Sequence, residues 1–205
     1  MNPLDLIHIQ LELECIGADA SNVLFRIPGD NPDDVARCYA AHHTTGYVTF
    51  VRGDVGPSIA NAVRALSPQQ VFEDIETVKR ILGGETASQV QVSAFRAYCF
   101  QKLPAPDEYA DVVGEGDRFA IRVGGELVSW AQSSRSNSRA SELATETKPD
   151  YRRRGYARQV CAAWARHQLE QGKIAFYSHR SENIASQALA SSLGVLHFVD
   201  GVNYE

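Results

Sequence analysis

The sequence predicts a mixed α/β (α+β) fold of short strands and capped helices. Segments that begin at a polar cap or a proline and end at a glycine alternate with short runs rich in Val, Ile, Phe and Tyr. The hydrophobic fraction of 44% and the charged fraction of 22% are ordinary for a globular chain. At 205 residues, such a chain can bury a large core without disulfides or metals.

A helix is predicted at the start of the chain. Asn2 stands at a cap, Pro3 at the first helical position and Gly17 as the stop. The Ile and Leu residues of this segment also alternate, which fits a strand, but the cap signals favour the helix. A strand is then predicted for "NVLFRI", and a hairpin for "ARCYAAH" and "YVTFVR" around "HTTG".

Two further helices complete the predicted first half, over 55–66 and 67–84. Ser67 and Gln70 form a predicted capping box at the start of the second helix, and Gly83 is its predicted stop.

The second half predicts strands followed by two strand–helix units. The predicted strands are "VQVSAFRAYCF", two strands about the Gly-Gly turn of "DRFAIRVGGELVSWAQSS", and "SRASELATET". A loop is predicted over 101–116. Helices over 155–172 and 182–194 alternate with strands in "KIAFYS" and "VLHFVDGVNYE". Trp130 and Trp164 are predicted to lie in the core.

Charge and cysteine content exclude several functional classes. The net charge is −5, with −6 in 1–91 and +1 in 92–205, which argues against a nucleic-acid partner. No apolar run approaches a membrane span, and the acidic start does not resemble a signal peptide. The four scattered cysteines predict reduced thiols in a cytoplasmic protein. No metal site is expected, because His42 and His43 have no suitably spaced third ligand.

The segment "KPDYRRRGYAR" packs four arginines into 152–158, between a predicted strand and a predicted helix. A helix start offers unpaired backbone N–H groups and a partial positive charge. Gly155 lets the backbone approach a ligand closely, and Ala157 keeps the next turn small. The segment therefore predicts a cradle for a diphosphate.

These residues resemble a motif of the GNAT superfamily, the acyl-CoA-dependent N-acyltransferases. The superfamily's R/Q-x-x-G-x-G/A signature matches at Arg152, Gly155 and Ala157. About thirty residues on, "NIASQALASSLG" resembles the second motif, at Asn183, Ser186, Leu189 and Gly194. The resemblance covers 117–205.

The resemblance implies a GNAT-type mixed, mostly antiparallel sheet flanked by helices. The acetyltransferase core would span 92–205, and 1–91 would be an N-terminal α/β extension packed on it. The implied reaction is direct transfer of an acetyl group from acetyl-CoA, without a metal, to an unidentified amine of a small molecule or peptide. A homodimer is one option that the sequence leaves open.

The same resemblance implies the residues that bind the cofactor. Backbone groups of Thr145, Glu146 and Thr147 would pair with the pantetheine arm. The arginine–glycine segment would hold the pyrophosphate, through Arg152, Arg153, Arg154, Gly155, Tyr156 and Ala157. Asn183 and Ser186 would lie beside the cofactor arm or the thiol, and Asn183 would also suit a helix cap.

The reaction requires a general base. An alkylamine of pKa about 10.4 is almost wholly protonated at pH 7, and deprotonating it costs about 4.6 kcal/mol. Glu142 and Glu146 are four apart on a predicted strand, so both carboxylates are expected on one face. Glu142 stands at the family-like base position, and Glu146 is the second candidate.

Two departures from the family pattern bear on catalysis. Many members carry a Tyr, the acid for the departing thiolate, where this chain has Ala190; Tyr177, Ser178 or water are the candidates to replace it. The loop 101–116 also replaces two helices that usually wall the acceptor site. We hypothesise that 1–91 supplies that wall; the alternative is an independent N-terminal module.

Two other functions stay open from the sequence. One is a catalytically weak, GNAT-like acyl-CoA-binding sensor or scaffold, and the other is an anion- or nucleotide-binding module of another fold. His179 is expected at the surface, with a proton relay as the alternative role.

Overall fold

The computed structural model describes residues 1–27, 35–105 and 111–205. Its fold is mixed α/β, with mostly antiparallel sheet flanked by helices, which confirms the predicted class. The chain forms two compact units. One holds Met1–Ala97, Arg180–Glu182 and Phe198–Glu205, and the other holds Tyr98–His179 and Asn183–His197. The predicted domain boundary between 91 and 92 stays a prediction.

The elements follow one another along the chain in this order. They are α1 (Pro3–Leu13), β1 (Ile16–Ala18), β2 (Val23–Arg26), β3 (Cys38–His43), β4 (Gly46–Arg52), α2 (Pro57–Arg64), α3 (Pro68–Glu73), α4 (Ile75–Gly83), β5 (Val92–Cys99), β6 (Val113–Glu115), β7 (Arg118–Val123), β8 (Glu126–Ser136), β9 (Ala140–Thr147), α5 (Tyr156–Glu170), β10 (Ile174–Arg180), α6 (Ile184–Leu193) and β11 (Leu196–Tyr204). Of the described helices, none is long and apolar enough to cross a membrane.

The predicted helix at the start of the chain is confirmed, but its predicted end is wrong. Asn2 caps α1 through its side-chain oxygen, which accepts from Asp5 N at 2.9 Å. The helix ends at Leu13, and Cys15 turns the chain with a φ of 57°. Gly17 lies in β1, where an added Cβ would meet the Phe25 ring at 2.4 Å. This glycine therefore serves close packing between strands.

The predicted helix over 67–84 is two helices. The capping box of Ser67 and Gln70 at the start of α3 is confirmed. Asp74 then leaves the helical region, with φ −98° and ψ 70°, and its carboxylate accepts from Thr77 N at 3.1 Å. Because Asp is a strong N-cap, it starts the new helix α4 inside an apparently continuous pattern.

The predicted hairpin over "HTTG" is confirmed as the antiparallel pair β3–β4. The last strand, β11, pairs with β3 over six residues, from Val199↔His43 to Tyr204↔Cys38. The sheet of the first unit therefore contains strands from both the start and the end of the chain.

In the second unit the strand order is β10-β9-β8-β7-β6. The predicted strands about the Gly-Gly turn are confirmed as β7 and β8. The prediction of a loop over 101–116 is wrong at 113–115, because β6 forms there and pairs with β7. Residues 106–110 of that predicted loop lie outside the described residues.

Two features of the second unit position the site. β9 and β10 pair in parallel from Ile174↔Ala140 to Phe176↔Glu142, and β9 continues beyond that pair to Thr147. Helix α5 packs seven buried residues on one face of the sheet. Trp164 is fully buried among them, as predicted, whereas the core prediction for Trp130 is wrong because its side chain is half-buried.

Candidate functional site

A cavity of about 720 Å³ opens beside the start of α5. It is lined by the end of β9, the loop and first turn of α5, one residue of β10 and one face of α6. The lining residues are Thr145, Glu146, Thr147, Tyr151, Arg152, Arg153, Gly155, Tyr156, Ala157, Arg158, Tyr177, Asn183, Ala185, Ser186, Ala188, Leu189 and Ser192.

The start of α5 leaves its backbone amides exposed to this cavity. Gly155 occupies the cap position with φ 80° and ψ −4°, and no side chain among the described residues caps the helix. Arg153, two residues earlier, is also left-handed, with a φ of 61°. Left-handed positions so close to a helix start form a concave set of N–H groups that suits an anion.

The three consecutive arginines have different surroundings. Arg152 donates from Nε to Thr147 O at 3.2 Å, and both Arg152 and Arg153 line the cavity. Arg154 is outside the cavity lining: its guanidinium lies 5.3 Å from the Tyr151 ring centroid and donates to Asp150 O at 3.2 Å. The Arg154 side chain is thus directed toward Asp150 and Tyr151, and its role in binding the cofactor stays a prediction.

The loop before α5 is tied to β8 by a carboxylate. Glu126 accepts from Lys148 Nζ at 2.6 Å and from Tyr151 Oη at 3.1 Å. These two hydrogen bonds, with the nearby ammonium charge, lower the pKa of Glu126. The loop is therefore held in place by one side chain outside it, that of Glu126.

The end of β9 offers a strand edge to the cavity. Thr145 and Thr147 turn their hydroxyls toward β8: Thr145 Oγ1 donates to Trp130 O at 2.7 Å, and Thr147 Oγ1 lies 2.7 Å from Ser129 Oγ. The backbone edge of β9 that faces β10 makes its last pair at Glu142↔Phe176. Beyond that pair the two strands diverge, and this edge of β9 is left without a β10 partner. An extended ligand could add to that edge as a strand does.

The wall contributed by α6 contains residues that the sequence analysis missed. Asn183 caps the helix by accepting from Ser186 N at 3.0 Å. The missed residues are Ala185, Ala188 and Ser192, which share one helical face with Leu189 of the second motif. Helical periodicity counted from Leu189, three or four residues in each direction, is the signal that could have identified Ala185 and Ser192.

Tyr177 is the residue of β10 that lines the cavity. Its side chain is 4% exposed, and its hydroxyl donates to Ser186 O at 3.5 Å. Burial raises the pKa of Tyr177 to about 12. The phenol is therefore protonated at neutral pH and can act as a hydrogen-bond donor.

The two candidate bases lie in different environments. Glu142 belongs to the last β9–β10 pair and is 5% exposed, and Ser178 Oγ, two residues beyond that pair on β10, donates to its Oε1 at 2.6 Å. Glu146 is exposed and lines the cavity. Ser178 is therefore bound to the Glu142 carboxylate, whereas Tyr177 reaches the cavity.

His179 is 8% exposed, so the prediction of a surface histidine is wrong. Its ring centroid lies 5.4 Å from that of Tyr98 and 5.8 Å from that of Tyr177. The alternation of β10 places it on the same face as Tyr177, where these rings pack together. Across residues 1–27, 35–105 and 111–205, no cluster of three His, Cys, Asp or Glu side chains could hold a metal ion.

Comparison with known proteins identifies one matching family model. The model of the GNAT acetyltransferase family matches residues 89–200, more than half of the chain. No curated protein matches the sequence.

Several solved structures are similar. One, from Novosphingobium aromaticivorans, carries the name of a GNAT-family acetyltransferase: identity is 17%, the TM-score is 0.47, and the match covers 56% of this chain and 65% of that one. A GNAT-family acetyltransferase from Colwellia psychrerythraea has 14% identity, a TM-score of 0.49, and coverage of 93% and 80%. A conserved protein of unknown function from Staphylococcus epidermidis has 8% identity, a TM-score of 0.51, and coverage of 88% and 94%. At such identity the last similarity concerns the fold alone.

Proposed function

Because the chain belongs to the GNAT acetyltransferase family, we propose that it transfers an acetyl group from acetyl-CoA directly to an amine of a small molecule or peptide. The observation that carries this proposal is the uncapped start of α5, which opens into the same cavity as the divergent end of β9. Together they offer an anion site and a strand edge, the two features that the pyrophosphate and the pantetheine arm require.

On the donor side, the amides around Gly155 would hold the pyrophosphate, with Arg152 and Arg153 adding positive charge. The β9 edge at 145–147 would pair with the pantetheine arm. Asn183 and Ser186, at the start of α6, line the same cavity. These assignments are supported by the common cavity and follow the family's motif.

On the acceptor side, Glu142 is the base that we favour. The acceptor ammonium must lose a proton before its nitrogen attacks the thioester carbonyl, and a carboxylate can take that proton directly or through water. The hydrogen bond from Ser178 stabilises the ionised form of this carboxylate and fixes its position. We therefore assign Ser178 to positioning the base, with Glu146, at the cavity rim, as the second candidate base.

Tyr177 is the group that we assign to the departing thiolate. With its pKa raised to about 12, complete proton transfer to a thiolate of pKa about 8.5 is uphill. A hydrogen bond from the phenol still stabilises the negative charge that develops on sulfur. Tyr177 would thus assist departure by donation of a hydrogen bond, and a proton from water would complete the step.

One observation favours a second candidate, a GNAT-like acyl-CoA-binding sensor or scaffold with weak catalysis. The position where many family members carry the acid Tyr is Ala190, which is 2% exposed within the hydrophobic core. Calorimetry with CoA, followed by acetyl-CoA turnover with a panel of amines, tests both candidates. Binding with amine-dependent release of CoA supports the transferase, whereas binding without turnover supports the sensor.

The cytoplasmic location, the identity of the amine and the option of a homodimer stay predictions. The four cysteines are unpaired thiols in the described structure. Burial raises the pKa of Cys38 and of Cys161 to about 12, so both would stay protonated at neutral pH. This chemistry is compatible with a reducing compartment.

A further inference from the structure

We propose that the acceptor is an amino acid, and that Arg118 binds its carboxylate on the face of the second unit's sheet opposite α5. This inference rests on the transferase function proposed above. It specifies the acceptor, which neither the family nor the motifs define.

The first step is the position of the candidate base on the sheet. Leu143 belongs to the core that packs under α5. Because side chains alternate along a strand, Glu142, Ala144 and Glu146 project from the opposite face. Ala144 is half-buried and small, so it forms a floor between the two carboxylates. Arg135 of β8 lies directly opposite Glu142, so an ammonium group placed over Ala144 would be attracted most directly by Glu146, with Glu142 beside it.

The second step is the row of side chains beside that floor. On β8, Trp130 is directly opposite Glu146, and Gln132 is directly opposite Ala144. On β7, Arg118 is opposite Gln132. Residues directly opposite each other share a face, so Arg118, Trp130 and Gln132 lie on the same face as Glu142.

The third step is the orientation of Arg118. Its Cζ lies 5.2 Å from the centroid of the Trp130 ring, and its Nε donates to Gln132 Oε1 at 3.1 Å. Both contacts are to β8, so the guanidinium extends from its own strand toward β9. Stacking on an aromatic face and one hydrogen bond fix the plane of the fork and make it a preformed anion receptor.

The fourth step is the availability of that fork. Glu115 is the residue opposite Arg118 on β6; the charge of Arg118 contributes to lowering the pKa of Glu115, but both carboxylate oxygens of Glu115 accept hydrogen bonds from Arg122, at 2.6 and 3.2 Å. Among the described residues, Arg118 makes its protein hydrogen bond through Nε alone. Its two terminal nitrogens are therefore left for a bidentate contact with a ligand carboxylate.

These positions select for a zwitterion. The guanidinium lies over β8, and the two carboxylates project from β9, the neighbouring strand, whose backbone is about 4.8 Å away. A small molecule with an amine and a carboxylate a few bonds apart matches that separation, and its carbon skeleton would pack on the indole of Trp130. A polyamine would instead meet the positive charge of Arg118.

The test compares acceptors that differ only in the carboxylate. We would measure kcat/KM for an aromatic amino acid, for its carboxamide and for the corresponding decarboxylated amine, at saturating acetyl-CoA. The wild-type chain should prefer the amino acid by at least tenfold. Arg118→Gln should lower kcat/KM for the amino acid and leave the values for the carboxamide and the amine unchanged, so the preference falls to near unity. Arg118→Lys should retain part of the preference.

Matched measurements separate specificity from folding and from cofactor binding. Arg166→Gln changes an arginine of α5 that is paired with Glu170, at 2.7 Å, on the other face of the sheet, and should keep the wild-type preference. All variants should bind CoA with wild-type affinity and melt within a few degrees of the parent.

Three results would count against the inference. Equal rates for the amino acid and its carboxamide in the wild-type chain would overturn it and leave the transferase function standing. An Arg118→Gln variant that is folded and keeps the preference would overturn the role of Arg118. A chain that binds CoA but acetylates no amine would refute the proposed function, and the inference with it.

Discussion

The two helices that flank the cavity begin in opposite ways. α5 begins at a left-handed glycine, without a side-chain cap among the described residues. α6 begins at Asn183, whose side chain already accepts from Ser186 N. α5 also buries seven of its residues, whereas Ala190 is the one buried residue in the described span of α6.

This difference shows that the two helices have different roles in the cavity: α5 offers an anion site, and α6 forms part of the wall. An uncapped helix start costs stability, of order 1 kcal/mol, unless a ligand takes the place of the cap. α5 can carry that cost because its packing holds it in place. α6 lacks such packing and needs its own cap. Because that cap occupies an amide at the start of the helix, α6 lines the cavity with side chains and is not the anion site.

The largest expected effect tests whether Tyr177 acts on the reaction or only supports α6. Its hydroxyl bonds to Ser186 O, in the first turn of that helix. Tyr177→Phe should lower kcat by about 100-fold without raising the KM for acetyl-CoA, because the lost donor acts on the departing sulfur. Steady-state kinetics checks this. An unchanged kcat would leave departure to water or to the unassisted thiolate.

The next effect tests the uncapped start of α5. Gly155→Glu should weaken CoA binding at least tenfold, about 1.4 kcal/mol, because it brings a carboxylate to the pyrophosphate site. Gly172→Glu is the matched control, since Gly172 has a similar φ of 75° at the other end of the same helix. Calorimetry should show near-wild-type affinity for the control. Equal losses in both variants would indicate backbone strain and contradict the cradle.

A smaller effect tests the self-capped start of α6. Asn183→Ala should lower the free energy of unfolding by about 1 kcal/mol, the usual value of an N-cap. Asn183→Asp keeps an acceptor for Ser186 N and should recover most of that stability. Because Asp adds a negative charge to the cavity, its CoA affinity should stay below that of the parent. Thermal melts and calorimetry measure the two effects; recovery of both would restrict Asn183 to a capping role.

The smallest expected effect concerns Ser178, next to Tyr177 on β10. Ser178→Ala removes the hydrogen bond that stabilises the ionised Glu142 carboxylate. Protonation of that carboxylate then becomes easier, so the acid limb of the kcat/KM profile should shift to higher pH. Ser178→Thr keeps a hydroxyl and should return the acid limb to its wild-type pH. A lower kcat with an unshifted limb would contradict the positioning role.

The sequence predicted well what short-range signals encode. The caps at Asn2 and Ser67, the Gly-Gly turn and the terminal glycines of α5 and α6 each act within a few residues, so local chemistry was sufficient. The break at Asp74 was missed because the apolar periodicity continues across it. The Asp74 side chain ends the helical conformation by accepting a hydrogen bond from the backbone, which the periodicity does not reveal. The strand β6 was missed because its partner β7, and not its own composition, stabilises it.

The same distinction between local and long-range signals applies to the candidate site. The residues around Gly155 follow one another in the sequence and carry a motif, so they could be named before the structure. The pairing of Glu142 with Ser178 joins residues on two strands, and its geometry depends on the parallel register of β9 and β10. The stacking of Arg118 on Trp130 depends likewise on the β7–β8 register, which local patterns do not encode, so this indole was predicted to lie in the core.

The uncapped start of α5 also has a consequence for amide hydrogen exchange. The amides of its first turn lack helical acceptors, so they should exchange with deuterium quickly in the protein without CoA. A few residues later, those from Val160 onward lie in the buried part of the same helix and should exchange slowly. This abrupt boundary within a single helix should disappear when CoA binds, which makes the amides of residues 156–158 direct reporters of cofactor occupancy.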